Sequence, residues 1–203
     1  MKKFVLLALV MSFLCAPATL YALDAIELMT GYFGLGFKDL DETRSTYEGV
    51  PAYVSLDFDI KPALAKIGLK PKGRVDFLLE PYAHTILKPD KNVEMGTDFL
   101  LKYVFPLTDK VQPYIKGGEG LSYMTAHTKE QSTQFNFVSQ IGAGVHVFLK
   151  EDLALNLEYR FRHLSNAGID HPNNGINTDF VLAGVTFFFN DKKTSDDKKS
   201  EGN

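Results

Sequence analysis

Ser, His and a carboxylate or amide together make an acyl-transfer site when the His can take the Ser proton and a third group holds the imidazole. One segment of this 203-residue chain offers such types at useful spacing: Tyr159-Arg160-Phe161-Arg162-His163-Leu164-Ser165-Asn166-Ala167-Gly168. His163 and Ser165 are two residues apart, so on a strand they share one face. Counting the alternation from Leu153 puts both on the apolar side, with Leu155, Leu157, Tyr159 and Phe161. A polar pair at the end of an apolar strand face suits a general base beside a nucleophile acting on a substrate that lies in a membrane. The blander reading is an interfacial His and Ser at a loop edge.

The elements that must position this pair are strands. Residues 135–149, 153–163, 93–105 and 52–60 all alternate apolar and polar side chains with period two. Roughly eight such segments are expected, near 25–37, 51–60, 73–84, 93–106, 111–125, 134–149, 152–165 and 178–189. Many are longer than an ordinary strand of about 5–6 residues, and they match the about 9–11 residues needed to cross a bilayer at a tilt. Tight turns at 106–110 and 150–152 alternate with longer polar loops at 38–50, 126–133 and 166–177. The 61–72 connection is unusually long for a periplasmic turn. The fold class expected is all-β, an eight-stranded antiparallel outer-membrane barrel over 23–189. A soluble sandwich or lipocalin-like barrel would reverse the polarity, with charge outside and apolar side chains inside.

In the membrane reading Asp57, Asp59, Arg74, Asp76, Glu80, Asp98, Lys102, Lys116, Glu158, Arg160 and Arg162 line the lumen and pair there. His84 and His146 also point inward, whereas His127 and His171 lie in loops. Glu119, within the Gly117-Gly118-Glu119-Gly120 run, faces lipid by strict alternation unless a bulge turns it inward.

Residues 1–22 have a secretory-signal layout: Lys2 and Lys3, an apolar run from Phe4 to Cys15, then small residues. Cleavage after Ala18 or Ala22 would remove the one Cys and leave a net charge of 20 − 25 = −5 against −3 for the whole chain. Residues 190–203 read as a disordered polar tail. Lys+Arg 22 against Asp+Glu 25 carries no basic signature of a nucleic-acid binder. No His, Asp or Glu spacing suggests a metal site.

His163 to Gly168, followed by Pro172-Asn173-Asn174-Gly175-Ile176-Asn177 on the seventh of eight strands, resembles the outer-membrane lipid A 3-O-deacylase (PagL) family. The resemblance covers about 160 residues in architecture, and its specific part is 163–177. It implies a serine esterase without cofactor or metal. The substrate would be the ester-linked 3-hydroxyacyl chain of lipid A, the lipid anchor of lipopolysaccharide, in the outer membrane. It further implies His163 as base, Ser165 as nucleophile, and Asn166 and Gly168 as oxyanion donors. Partners would be lipid A and outer-membrane lipids, with a homodimer left open. The chain departs from the family at Asn177, where the pattern has Glu. An Asn can orient an imidazole but cannot stabilise imidazolium by charge. If Ser165 paired with Asn177, Asp179 would stand opposite His163 and could serve as the alternative acid. Two other readings stay open: a non-catalytic structural or adhesin-like barrel, and another outer-leaflet lipid esterase.

Overall fold

A computed structural model describes residues 23–34, 46–126 and 128–189. The expected signal segment 1–22, the tail 190–203, the loop residues 35–45 and His127 lie outside the described residues. The described chain forms β1 (Leu23–Gly34), β2 (Glu48–Asp59), α1 (Lys61–Lys66), β3 (Arg74–Lys88), β4 (Asn92–Val104), β5 (Val111–Met124), β6 (Phe135–Lys150), β7 (Leu153–Ser165) and β8 (Ile176–Phe188). Each strand pairs antiparallel with its sequence neighbour, and β8 closes on β1. The result is an eight-stranded closed barrel, as the alternation requires. Closure leaves no sheet edge unpaired, which is what lets strands sit in lipid. Among the described residues no helix is long and apolar enough to cross a membrane.

The polarity is that of a membrane barrel. Along β7, Asn156, Glu158, Arg160, Arg162 and Leu164 are buried, while Leu155, Leu157, Tyr159 and Phe161 are exposed. Ile115, Ile141 and Val181 continue the outer apolar wall on β5, β6 and β8. A soluble barrel would bury these side chains, so the sandwich and lipocalin readings fall.

The lumen is solid. Toward the end where β1 begins and β8 finishes, Lys102 meets Glu27 at 2.5 Å and also Asp57, and Arg74 Nε reaches Asp76 at 2.8 Å. At mid-height Lys116 bridges Glu80 at 3.1 Å and Glu158 at 2.9 Å, and Arg160 bridges the same two carboxylates at 2.6 and 2.8 Å. The Arg160 guanidinium also lies over the Tyr53 ring at 4.3 Å. Nearer the far end Arg162 pairs with Glu94, which also accepts hydrogen bonds from Tyr47 at 2.9 Å and Ser122 at 3.0 Å. An apolar plug of Phe33, Tyr47, Met124, Leu164, Ile176 and Phe180 packs there. His84 stacks on Tyr82 at 4.4 Å, and His146 Nδ1 bonds Asn156 at 2.7 Å, both inside.

Several expectations change in detail. Asp59 is only partly buried; it sits at the rim and accepts the Lys61 N–H at 2.8 Å, at the start of α1. That helix, with Pro62 in its first turn, occupies the long 61–72 connection. The third strand runs on to Lys88, so the β3–β4 link at 89–91 is short although it lies at the long-loop end. The regular alternation of long loops and short turns breaks there. No bulge intervenes at the glycine run: β5 keeps one register against both β4 and β6, and Glu119 faces outward.

The buried ion pairs should be costly to break singly. Replacing Lys102 by Met leaves Glu27 and Asp57 without their cation, and the expected loss is about 3–5 kcal/mol of unfolding free energy. Urea titration of the vesicle-inserted barrel, read by the heat-dependent mobility of the folded form, measures it. Trimming the lipid-facing Leu28 should cost much less.

Candidate active site on the outer wall

His163 lies near the end of β7, between two buried neighbours. Arg162 points inward to Glu94 and Leu164 points inward to the apolar plug. Strand geometry therefore turns His163 and Ser165 outward, and both are half-buried at the surface. The partner segment is arranged likewise: Ile176 and Thr178 are buried and Asn177 is exposed.

The β7–β8 ladder pairs His163 with Asn177 and Leu164 with Ile176. Imidazole Nδ1 and Asn177 Oδ1 are 2.7 Å apart. With an amide oxygen as acceptor, Nδ1 carries the proton and donates it. Nε2 then keeps its lone pair, which is the tautomer a general base needs.

This register corrects the expectation for Asp179. It stands opposite Phe161, two pairs further down the ladder, and accepts a hydrogen bond from the Tyr159 hydroxyl. It does not meet His163, because the loop length puts Asn177, not Asp179, at the level of the imidazole. Ser165 itself pairs sideways with Phe137 on β6.

The loop 166–175 shows a second difference. Asn166 is buried and holds the loop together. Its amide nitrogen donates to Asp170 O at 2.9 Å and to Ser132 Oγ at 3.1 Å. Its Oδ1 accepts the Gly168 N–H at 2.9 Å, and its own N–H donates to Asn173 Oδ1 at 2.9 Å. The donors expected to face an oxyanion, those of Asn166 and Gly168, are thus engaged inside the loop. Ala167 and Gly168 both have positive φ, 57° and 77°, in a turn closed by Ile169 N–H to Asn166 O at 3.2 Å. Among the described residues the Ala167 amide, two positions after Ser165, has no hydrogen-bond partner.

One residue at the site was overlooked as a determinant of geometry. Gly175 has φ +76°, and a Cβ there would stand 2.6 Å from His163 Cε1. The glycine backbone therefore forms one wall of the imidazole slot. The Gly175-Ile176-Asn177 run signalled the loop's exit, but the contact depends on the register of β7 and β8. His171, as expected, is in the loop and exposed. Among the described residues no group of three His, Cys, Asp or Glu could hold a metal ion.

The sequence model of the lipid A 3-O-deacylase (PagL) family matches residues 52–186. The chain belongs to that family. No curated protein sequence matches it. Among solved structures, it is similar to the outer membrane enzyme PagL at 16% identity, covering 81% of this chain and 99% of that one, with a TM-score of 0.53. It is also similar to Neisserial surface protein A at 12% identity, covering 83% and 99%, with a TM-score of 0.60. At such identities these two likenesses show the fold. Family membership and the outward apolar wall put the protein in the bacterial outer membrane.

Gly175→Ala should leave the barrel folded, at a local cost of about 1–2 kcal/mol for the left-handed backbone, while displacing the ring. The expected readout is loss of the Nδ1–H donor signature of His163 in imidazole nitrogen spectra, with the folded mobility retained.

Proposed function

We propose that this family member is an active lipid A 3-O-deacylase that works as a serine esterase. The observation that carries the reading is the His163–Asn177 hydrogen bond on the lipid-facing wall, on the same face as Ser165. Ser165 Oγ attacks the ester carbonyl at position 3 of lipid A while His163 Nε2 takes its proton. The tetrahedral intermediate collapses, His163 returns the proton to the departing sugar oxygen, and an acyl-serine remains. Water then attacks this acyl-serine, giving its proton to His163. Collapse restores Ser165 and releases the 3-hydroxy fatty acid. Asn177 holds the imidazole in the reactive tautomer and contributes no charge. The Ala167 N–H, unspent in the loop, is the nearest backbone donor in sequence for the oxyanion. The acyl chain lies along Phe161, Tyr159 and Leu157, which are exposed on the same strand face. Residues 1–22 serve as the export signal.

A second reading is a non-catalytic barrel. The uncharged Asn177 at the family's Glu position favours it, as does similarity to a surface protein of the same fold. Mass spectrometry of lipid A from cells expressing the wild type, Ser165→Ala or an empty vector decides. The deacylase reading expects loss of one 3-hydroxyacyl chain in the wild type alone. Identical lipid A in all three would remove it, and loss of a different acyl group, or a phospholipid product, would point to another lipid esterase.

Within the active enzyme, Asn177→Ala should lower kcat by on the order of 10²-fold through loss of tautomer control. Asp179→Asn should change it by less than about threefold, since its partner is Tyr159.

A further inference from the structure

The ladders that hold His163 place a carboxylate on the same outer row. Reading across four strands, Glu119 on β5 pairs with Ser139 on β6, Ser139 pairs with His163 on β7, and His163 pairs with Asn177 on β8. Glu119, Ser139 and Asn177 are exposed and His163 is half-buried on the same outer face, so the four form one polar row in an apolar wall. Phe99 on β4 ends the row, and Leu121, Phe137 and Ile141 flank it. Ser139 Oγ donates to Glu119 Oε2 at 2.6 Å.

A carboxylate on the lipid face of a barrel is costly without a partner. The lumen does not provide one here, because strict alternation keeps Lys116 and Arg160 on the other side of the sheet. Within the row the one group that can become cationic is His163. The family's Glu position, on the opposite flank of His163, holds Asn177 instead.

We propose that Glu119, held by Ser139, supplies the negative charge that Asn177 lacks, so that the imidazolium formed during ester cleavage is stabilised from the β5–β6 side. This rests on the esterase reading. Glu119 is a positioning residue: it touches neither the ester nor the imidazole and acts across Ser139. Neighbouring strands are about 4.8 Å apart, so the carboxylate stands about 10 Å from the ring. At that distance, in surroundings of reduced dielectric, a unit charge changes the rate of a step that develops the opposite charge by roughly ten- to twentyfold. Ser139 spends its one proton on Glu119, which fixes the carboxylate's place beside the row. The two flanks of His163 then divide the work: Asn177 selects the tautomer and Glu119 lowers the energy of the charged ring.

The test uses the full chain folded in mixed micelles with lipid A that carries its 3-O-acyl chain. Initial rates are measured for wild type, Glu119→Gln, Asn177→Glu and the double variant, with folded mobility checked for each. The expected result is a roughly tenfold fall in kcat for Glu119→Gln with KM unchanged. Asn177→Glu should raise kcat and make the enzyme indifferent to Glu119→Gln, within about twofold. Ser139→Ala should show an intermediate loss that Asn177→Glu also removes. An active wild type that is unaffected by Glu119→Gln overturns the inference alone. So does an equal loss in both backgrounds, which would mark a packing role. A folded wild type that releases no acyl chain overturns the esterase reading and this inference with it.

Discussion

Arg162 and Glu94 meet inside the barrel one residue before the candidate base, and the orientation of the site depends on that pair. Removing either partner would strand a buried charge, which is strongly unfavourable. Moving β7 by one residue would do worse, since Arg160 and Arg162 would face lipid while Phe161 and His163 would enter a lumen packed with carboxylates. The hydrogen bonds from Tyr47 and Ser122 to Glu94 tie two further parts of the chain to the same point. His163 is outward because its neighbours are so firmly inward. The site is in this sense a by-product of lumen packing, and the lumen needs no cavity to support it.

That placement decides what chemistry is available. A Ser–His pair on the outside of a barrel, near the end with the long loops, faces the outer leaflet and not a water-filled pocket. For the proposed lipid substrate the acyl part would already lie in the plane of the wall, where exposed apolar side chains such as Phe161 and Leu157 could align it. The loop has the complementary duty. Asn166 occupies its centre with five hydrogen bonds, and a Cβ at Gly175 would collide with the imidazole. The loop's own hydrogen bonds and the bond from His163 to Asn177 together hold the half-buried ring in one orientation on the wall.

Much of the barrel was legible because a period of two is a strong signal when one face meets lipid and the other meets charges. The inward set from Asp57 to Arg162, apart from Asp59 at the rim, the outward placement of His163 and Ser165, and the lumenal positions of His84 and His146 follow from parity alone. What parity does not contain is register. The pairing of β7 with β8 is set by how many residues the 166–175 loop absorbs in its own turn, and that turn is built on Asn166, Ala167 and Gly168 in conformations no alternation reports. Hence Asp179 was placed two pairs too high, opposite His163, when it stands opposite Phe161. For the same reason alternation was silent on Asn166 and Gly168, which the family resemblance implied as oxyanion donors and whose N–H groups are engaged within the loop. For Glu119 parity left two positions open, outward or turned inward by a bulge; the unbroken register makes it outward, and its neighbours come from separate ladders that a chain read in one dimension cannot align.

The substitution at Asn177 looks like a loss only if one residue must both orient the base and neutralise its charge. The two tasks are physically separable. Orientation needs a hydrogen-bond acceptor at short range, and an amide oxygen at 2.7 Å meets that need. Charge stabilisation acts over longer distances, particularly where one side of the sheet borders hydrocarbon and solvent screening is weak. A carboxylate two strands away can therefore contribute where a neutral acceptor at the same distance could not. On the lipid face such a carboxylate would be a liability unless the site makes use of it. Its single bond to Ser139, on the strand next to His163, is what distinguishes Glu119 from a stray charge. The same row joins a neutral acceptor on one flank of the base to an anion on the other, and the closed barrel holds both at fixed register.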